Sequence, residues 1–210
     1  MLWSMLSQTS SSSETDKTLA IFISQSGETA DTIASLRLAA AKNAKILSIV
    51  NVSGSALTRE SENVILTRAG QEIAVATTKA FSAQLAALYA FSLYIGRIRE
   101  RLKDDEYEKY LQELYLLPEK QGKALSCVCD KMKEISAKLC KERDVFYIGR
   151  LGDYAIACEG SLKMKEITYI NSQAYPSGEL KHGTISLIEK GTPVTDSVIE
   201  AVELRSDPSA

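Results

Sequence analysis

The run Leu19-Ala20-Ile21-Phe22-Ile23 is apolar at every position and gives way at once to helical spacing in Ala30-Asp31-Thr32-Ile33-Ala34-Ser35-Leu36-Arg37-Leu38. An unbroken apolar run of this length reads as a strand buried on both faces, as in a parallel sheet. The residues between strand and helix are Ser24-Gln25-Ser26-Gly27-Glu28-Thr29. In α/β sheets ligands bind at the carboxyl ends of strands. A helix N-terminus at that place offers unpaired N–H groups and the positive end of a dipole, and hydroxyls add neutral donors. The stretch therefore points to a small phosphorylated ligand. Its alternative reading is a turn and a helix cap, with Ser26 capping.

Strand and helix signals continue to alternate. Residues 45–51 read as a second strand, 54–62 as a loop with a short helical turn, 64–67 as a third strand and 75–101 as a long helix. This order implies a parallel sheet with right-handed crossovers. Residues 103–141 carry no strand signal. They read as two charged amphipathic helices, 104–116 and 124–139, broken at Pro118. The theme then restarts with a strand at 144–150 and a helix over about 154–170, a weak internal duplication.

The chain has 210 residues, a net charge of -2 and a hydrophobic content of 45%, which allow one large domain or two lobes. Nothing in the charge favours nucleic acid or an anionic membrane. Cys127, Cys129, Cys140 and Cys158 fit no zinc spacing and read as reduced thiols of a cytosolic protein. No metal site is expected. Residues 1–17, Ser-rich in their second half, read as a flexible leader. The apolar stretch 80–96 is interrupted by Ser82, Gln84 and Ser92, so it reads as a helix buried in a core or subunit contact rather than a membrane span.

Glu159, Lys163 and Glu166 are spaced i, i+4, i+7 and share one stripe of a helix. A surface ion-pair ladder would have the same spacing. The flanking Ala155, Ile156, Ala157, Gly160, Leu162 and Met164 suit a buried helix better. His182, the one histidine of the chain, follows in the segment Gly178-Glu179-Leu180-Lys181-His182-Gly183.

Three separated motifs carry a family resemblance. They are the loop at 24–29, the string Glu72-Ile73-Ala74-Val75-Ala76-Thr77-Thr78-Lys79-Ala80-Phe81, and Cys158-Glu159-Gly160-Ser161-Leu162-Lys163-Met164-Lys165-Glu166-Ile167 followed by 178–183. Together they resemble the sugar isomerase (SIS) part of the glutamine–fructose-6-phosphate aminotransferase family, also called glucosamine-6-phosphate synthase, over about 19–194. The resemblance implies an α/β fold of three-layer, nucleotide-binding-like SIS lobes in tandem. The lobes would occupy 18–102 and 143–194, with a helical bridge at 103–142 and a divergent tail at 195–210.

The resemblance also implies roles. Ser24, Gln25, Ser26 and Thr29 match positions that hold the sugar phosphate, and Val75 and Thr77 match residues lining the sugar site. Glu166 matches the carboxylate that moves a proton between sugar C1 and C2, Lys163 its charged neighbour, and His182 the histidine implicated in ring opening, which reaches the partner subunit's site. The implied partners are a hexose 6-phosphate and a second copy of the chain, in the cytoplasm, with no cofactor.

The residue types suit that chemistry. One carboxylate can take a proton and return it to the next carbon. His exchanges protons near neutral pH, and Lys stabilises a developing oxyanion.

The sequence also departs from the family. Leu2 stands where the family's glutaminase cysteine would follow the initiator Met. The Cys-Gly-Thr-Ser loop of the first lobe and the C-terminal lysine segment have no counterpart. The expected function is therefore the sugar-binding isomerase part, converting fructose 6-phosphate towards glucosamine 6-phosphate without a glutaminase domain and without full activity. A non-catalytic phosphosugar-binding module and an inactive fragment are the alternatives.

Overall fold

The structure, a computed structural model, describes residues 17–74 and 76–197. The expected leader short of Lys17, Val75, and the tail beyond Ser197 lie outside the described residues.

The elements run β1 (Leu19–Ser24), α1 (Ala30–Ala41), β2 (Lys45–Val50), α2 (Ala56–Glu60), β3 (Asn63–Leu66), α3 (Lys79–Ile98), α4 (Asp104–Leu139), β4 (Asp144–Gly149), α5 (Gly152–Thr168), β5 (Asn171–Pro176), a 3-10 turn (Thr184–Leu187) and β6 (Val194–Ser197). They form two compact units, residues 1–119 and 120–210, and the division falls inside α4.

Unit 1 holds a parallel sheet in the order β1-β2-β3. Leu36 and Ala39 of α1 pack on Phe22 of β1 and on Ile46 and Val50 of β2, with Leu57 of α2 and Ala44 completing the cluster. Leu36, Ile46 and Leu57 are at most 1% exposed. Burial of one such side chain is worth about 1.5–3 kcal/mol. Ser48 is a polar residue in the middle of β2 and fully buried, which is tolerable because its hydroxyl lies 2.6 Å from that of Ser61.

Unit 2 holds a second parallel sheet in the order β5-β4-β6. Val145, Phe146 and Ala157 are its buried apolar residues. Helix α5 is tied to β5 by a buried hydrogen bond, Ser172 Oγ donating to Ser161 Oγ at 2.9 Å. Gly160 lets α5 approach the sheet closely, since a Cβ there would stand 3.1 Å from the ring of Tyr147.

Three expectations are corrected, and one strand, the third of these points, is not among those expected. First, the break at Pro118 does not occur: α4 is one 36-residue helix with the proline inside it. Residues 119–123, Glu-Lys-Gln-Gly-Lys, include good helix formers, and extending an existing helix is far cheaper than starting another. Second, α3 begins at Lys79 and ends at Ile98, so residues 76–78 and 99–101 are not part of it. Third, a strand at Asn171–Pro176 carries no apolar signature; its Ser172 is buried through the bond to Ser161, and Pro176 is tolerated on an edge. Fourth, the polar stretch from Thr195 continues β6 to Ser197, paired with β4.

Of the two places expected for 80–96, a core or a subunit contact, the core of this chain is not the one that α3 occupies. Only Ala80 of α3 is fully buried, while Tyr89, Tyr94 and Ile98 are 61%, 57% and 59% exposed. Among the described residues no helix is long and apolar enough to cross a membrane.

Candidate functional site

In unit 1 the carboxyl end of β1 leads into the 24–29 loop. Ser24 is buried at the strand end, and its Oγ accepts a hydrogen bond from the Gly27 N–H at 2.9 Å. Ser26 is half-buried, and its Oγ accepts from the Glu28 N–H at 3.2 Å. In each case the hydroxyl proton is left to donate elsewhere. Gln25 is half-buried and its carbonyl accepts from the Asn51 N–H at 3.3 Å.

The cap of α1 is Thr29 rather than Ser26. Thr29 is exposed, and no side chain caps the helix. The first N–H groups of α1 therefore face the loop without a side-chain acceptor. The loop itself is held from behind. Gly27, at φ +70°, accepts from the Leu57 N–H at 3.0 Å, and Glu28 Oε1 accepts from the Ala56 N–H at 2.9 Å. Glu28 thus spends its charge on the start of α2 and leaves the hydroxyl side of the loop neutral.

Asn51 was not singled out from the sequence and organises the neighbouring loop. Its Oδ1 accepts from the Ala69 N–H at 2.8 Å and from Thr67 Oγ1 at 3.1 Å, and its Nδ2 donates to the Gly70 carbonyl at 2.7 Å. Its place directly after β2, at a strand's carboxyl end, is the signal that would have marked it. Farther along, Lys79 Nζ donates to the Gln71 carbonyl at 2.6 Å, closing the segment that carries half-buried Thr77.

In unit 2 the expected stripe on α5 is a charged cluster. Lys163 Nζ donates to Glu166 Oε2 at 2.7 Å and lies 3.5 Å from Glu159 Oε1. The three side chains are 19%, 29% and 25% exposed, so this is not an exposed ladder. Burial acts to lower the Lys163 pKa, but the Glu166 hydrogen bond and the two carboxylate charges outweigh it and hold it above the ordinary 10.5. Lys163 is thus a fixed cation through the neutral range.

His182 is exposed in the turn before the 3-10 turn, and its N–H donates to the Glu179 carbonyl at 3.0 Å. No hydrogen bond or ion pair joins it to Glu166 among the described residues. The cysteines are free and exposed. No group of three or more His, Cys, Asp or Glu is arranged to hold a metal among the described residues.

The SIS domain family matches this chain over residues 7–94 and 138–195. The chain belongs to the SIS domain family. Among its relatives, the glutamine–fructose-6-phosphate aminotransferase of Fusobacterium nucleatum subsp. nucleatum is 51% identical over 180 residues, covering 86% of this chain and 30% of that protein. The enzyme of the same name from Clostridium tetani is 49% identical over 177 residues, covering 84% and 29%. This SIS chain therefore spans about 30% of the length of the curated relatives it matches.

Among solved structures, the C-terminal domain of glucosamine-fructose-6-phosphate aminotransferase from Francisella tularensis superposes with a TM-score of 0.81 at 41% identity, covering 88% of this chain and 54% of that one. Glucosamine-6-phosphate deaminase from Thermotoga maritima shares the fold alone, with a TM-score of 0.65 at 22% identity, covering 91% and 56%. The SIS fold and the likeness to the isomerase part of the aminotransferase thus agree with the parallel α/β architecture.

Proposed function

We propose that this SIS chain binds a hexose 6-phosphate, fructose 6-phosphate in particular, with the phosphate on the 24–29 loop. The observation that carries the reading is the uncapped N-terminus of α1 beside the Ser24 and Ser26 hydroxyls. A phosphate there meets N–H groups, a helix dipole and hydroxyl donors, with Asp31 of the same first turn as the carboxylate it must tolerate. The names of the relatives supply the sugar. Val75 and Thr77 line the sugar in this reading. A homodimer, a cytoplasmic location and lobes at 18–102 and 143–194 joined by a bridge at 103–142 belong to the same proposal.

Its chemical step is proton transfer between C1 and C2 of the open-chain sugar. Glu166 takes the proton from one carbon and returns it to the other, and Lys163 steadies the enediolate oxygen. His182 assists ring opening, acting on the site of a second copy of the chain. The amination half needs ammonia from outside these residues.

The test is deuterium wash-in from heavy water into fructose 6-phosphate. Glu166→Gln keeps the hydrogen bond to Lys163 but removes the base, so exchange should fall by about 10²–10⁴-fold. Exchange at the wild-type rate in that variant would remove Glu166 from the role. Binding without exchange in the unaltered chain would leave a phosphosugar-binding module.

A further inference from the structure

Unit 2 repeats the strand–loop–helix arrangement of unit 1, and at the equivalent place it has an open cleft of about 530 Å³ between the carboxyl ends of β4 and β5. We infer that this cleft, walled by Arg150, Tyr154 and Ser177 at the start of α5, is a second anion site that takes the phosphate group of a small phosphate monoester.

Three features converge there. Arg150 is exposed at the cleft and brings a permanent positive charge with planar donors suited to phosphate oxygens. Ser177 Oγ is buried at the cleft wall and has no hydrogen-bond partner among the described residues. Such an atom is costly unless something completes it. Its position is fixed, because the Ser177 N–H donates to the Gly149 carbonyl at 2.9 Å. Helix α5 is 17 residues long and its first turn has no side-chain cap; its Asp153 and Tyr154 N–H groups donate to the Arg150 and Leu151 carbonyls at 2.9 and 3.3 Å, which leaves the Gly152 N–H for a ligand. Asp153 is the acid of that turn, but its side chain is buried and has a partner of its own.

The backbone is built for close approach. A Cβ on Gly149 would stand 2.6 Å from the Asp153 carbonyl and the Tyr154 nitrogen, so only glycine lets the helix start settle on the strand end. Tyr154, Leu151 and Pro176 add apolar surface beside the charged end of the cleft. This favours an organic phosphate with a carbon body over a bare ion. The site uses none of the residues of the 24–29 loop, nor Glu159, Lys163 or Glu166, so it stands whether or not those carry the roles given above.

The test is an amide NMR titration of the full chain with fructose 6-phosphate, and separately with inorganic phosphate. The amides of residues 150–152 and 177 report this cleft, and those of 26–31 report the unit 1 loop, so the two are read apart in one sample. The expected result is saturable movement of the 150–152 and 177 signals with fructose 6-phosphate, persisting in Ser26→Ala/Thr29→Ala. Arg150→Gln, an exposed substitution that keeps the fold, should weaken that response about tenfold or more. Ser177→Ala should weaken it by a smaller factor. Unmoved signals at saturating sugar phosphate, unchanged affinity in Arg150→Gln, or a response to inorganic phosphate alone would each overturn the inference.

Discussion

Gly27 shows how narrowly the loop is built. At φ +70° its backbone disfavours any side chain, and a Cβ would fall 2.1 Å from Ser55 Oγ and 2.9 Å from Val50 Cγ1. Gly27→Ala should therefore cost on the order of 2–4 kcal/mol and spoil the loop with it. Urea denaturation checks this, and a midpoint equal to wild type would show that the loop can relax. The residue scale is also where the sequence is most and least readable. The hydroxyls at 24, 26 and 29 announce themselves by type and place. Asn51 and Ser177 do not, because their importance comes from bonds made or left unmade across long sequence distances. Glu28 is legible only as an acid near a helix start; the helix it serves is α2, 28 residues away in sequence from its own position.

At the scale of elements, β1, β2 and α1 follow from apolar runs and helical spacing because both faces of the central strand are buried. Strand β5 does not, since a polar edge strand paired through Ser172 and the β4 ladder leaves no such pattern. Helix α4 fails as a reading for another reason. Proline lowers helix stability locally but does not forbid a helix that is well supported on both sides. Pro118 removes the donor that would meet the Leu114 carbonyl, and α4 has no fully buried residue to compensate. Pro118→Ala should thus stabilise the middle of α4 by up to about 3 kcal/mol. Hydrogen exchange of the amides just after position 118 should slow, and faster exchange would mean that the helix depends on the proline.

On the scale of the whole molecule, the apolar helix α3 is the outstanding exposed feature, with Tyr89, Tyr94 and Ile98 all more than half exposed. Spaced i, i+5 and i+9, the three lie around the helix rather than on one stripe, so whatever covers α3 must meet more than one of its sides. The proposed second copy would cover it. Sedimentation should show concentration-dependent association, weakened at least tenfold by Tyr89→Glu/Tyr94→Glu; a chain that is monomeric at every concentration would remove the dimer.

The central claim remains the phosphate on the 24–29 loop, and calorimetric titration with fructose 6-phosphate tests it most directly. An Arg150→Gln background weakens the unit 2 cleft, so the loop is read as the tighter site. The tighter saturable site in this background should weaken about tenfold or more on adding Ser26→Ala/Thr29→Ala, because two hydroxyl donors are lost. Equal affinity with and without the two hydroxyls, or no binding at all in the folded chain, would contradict it.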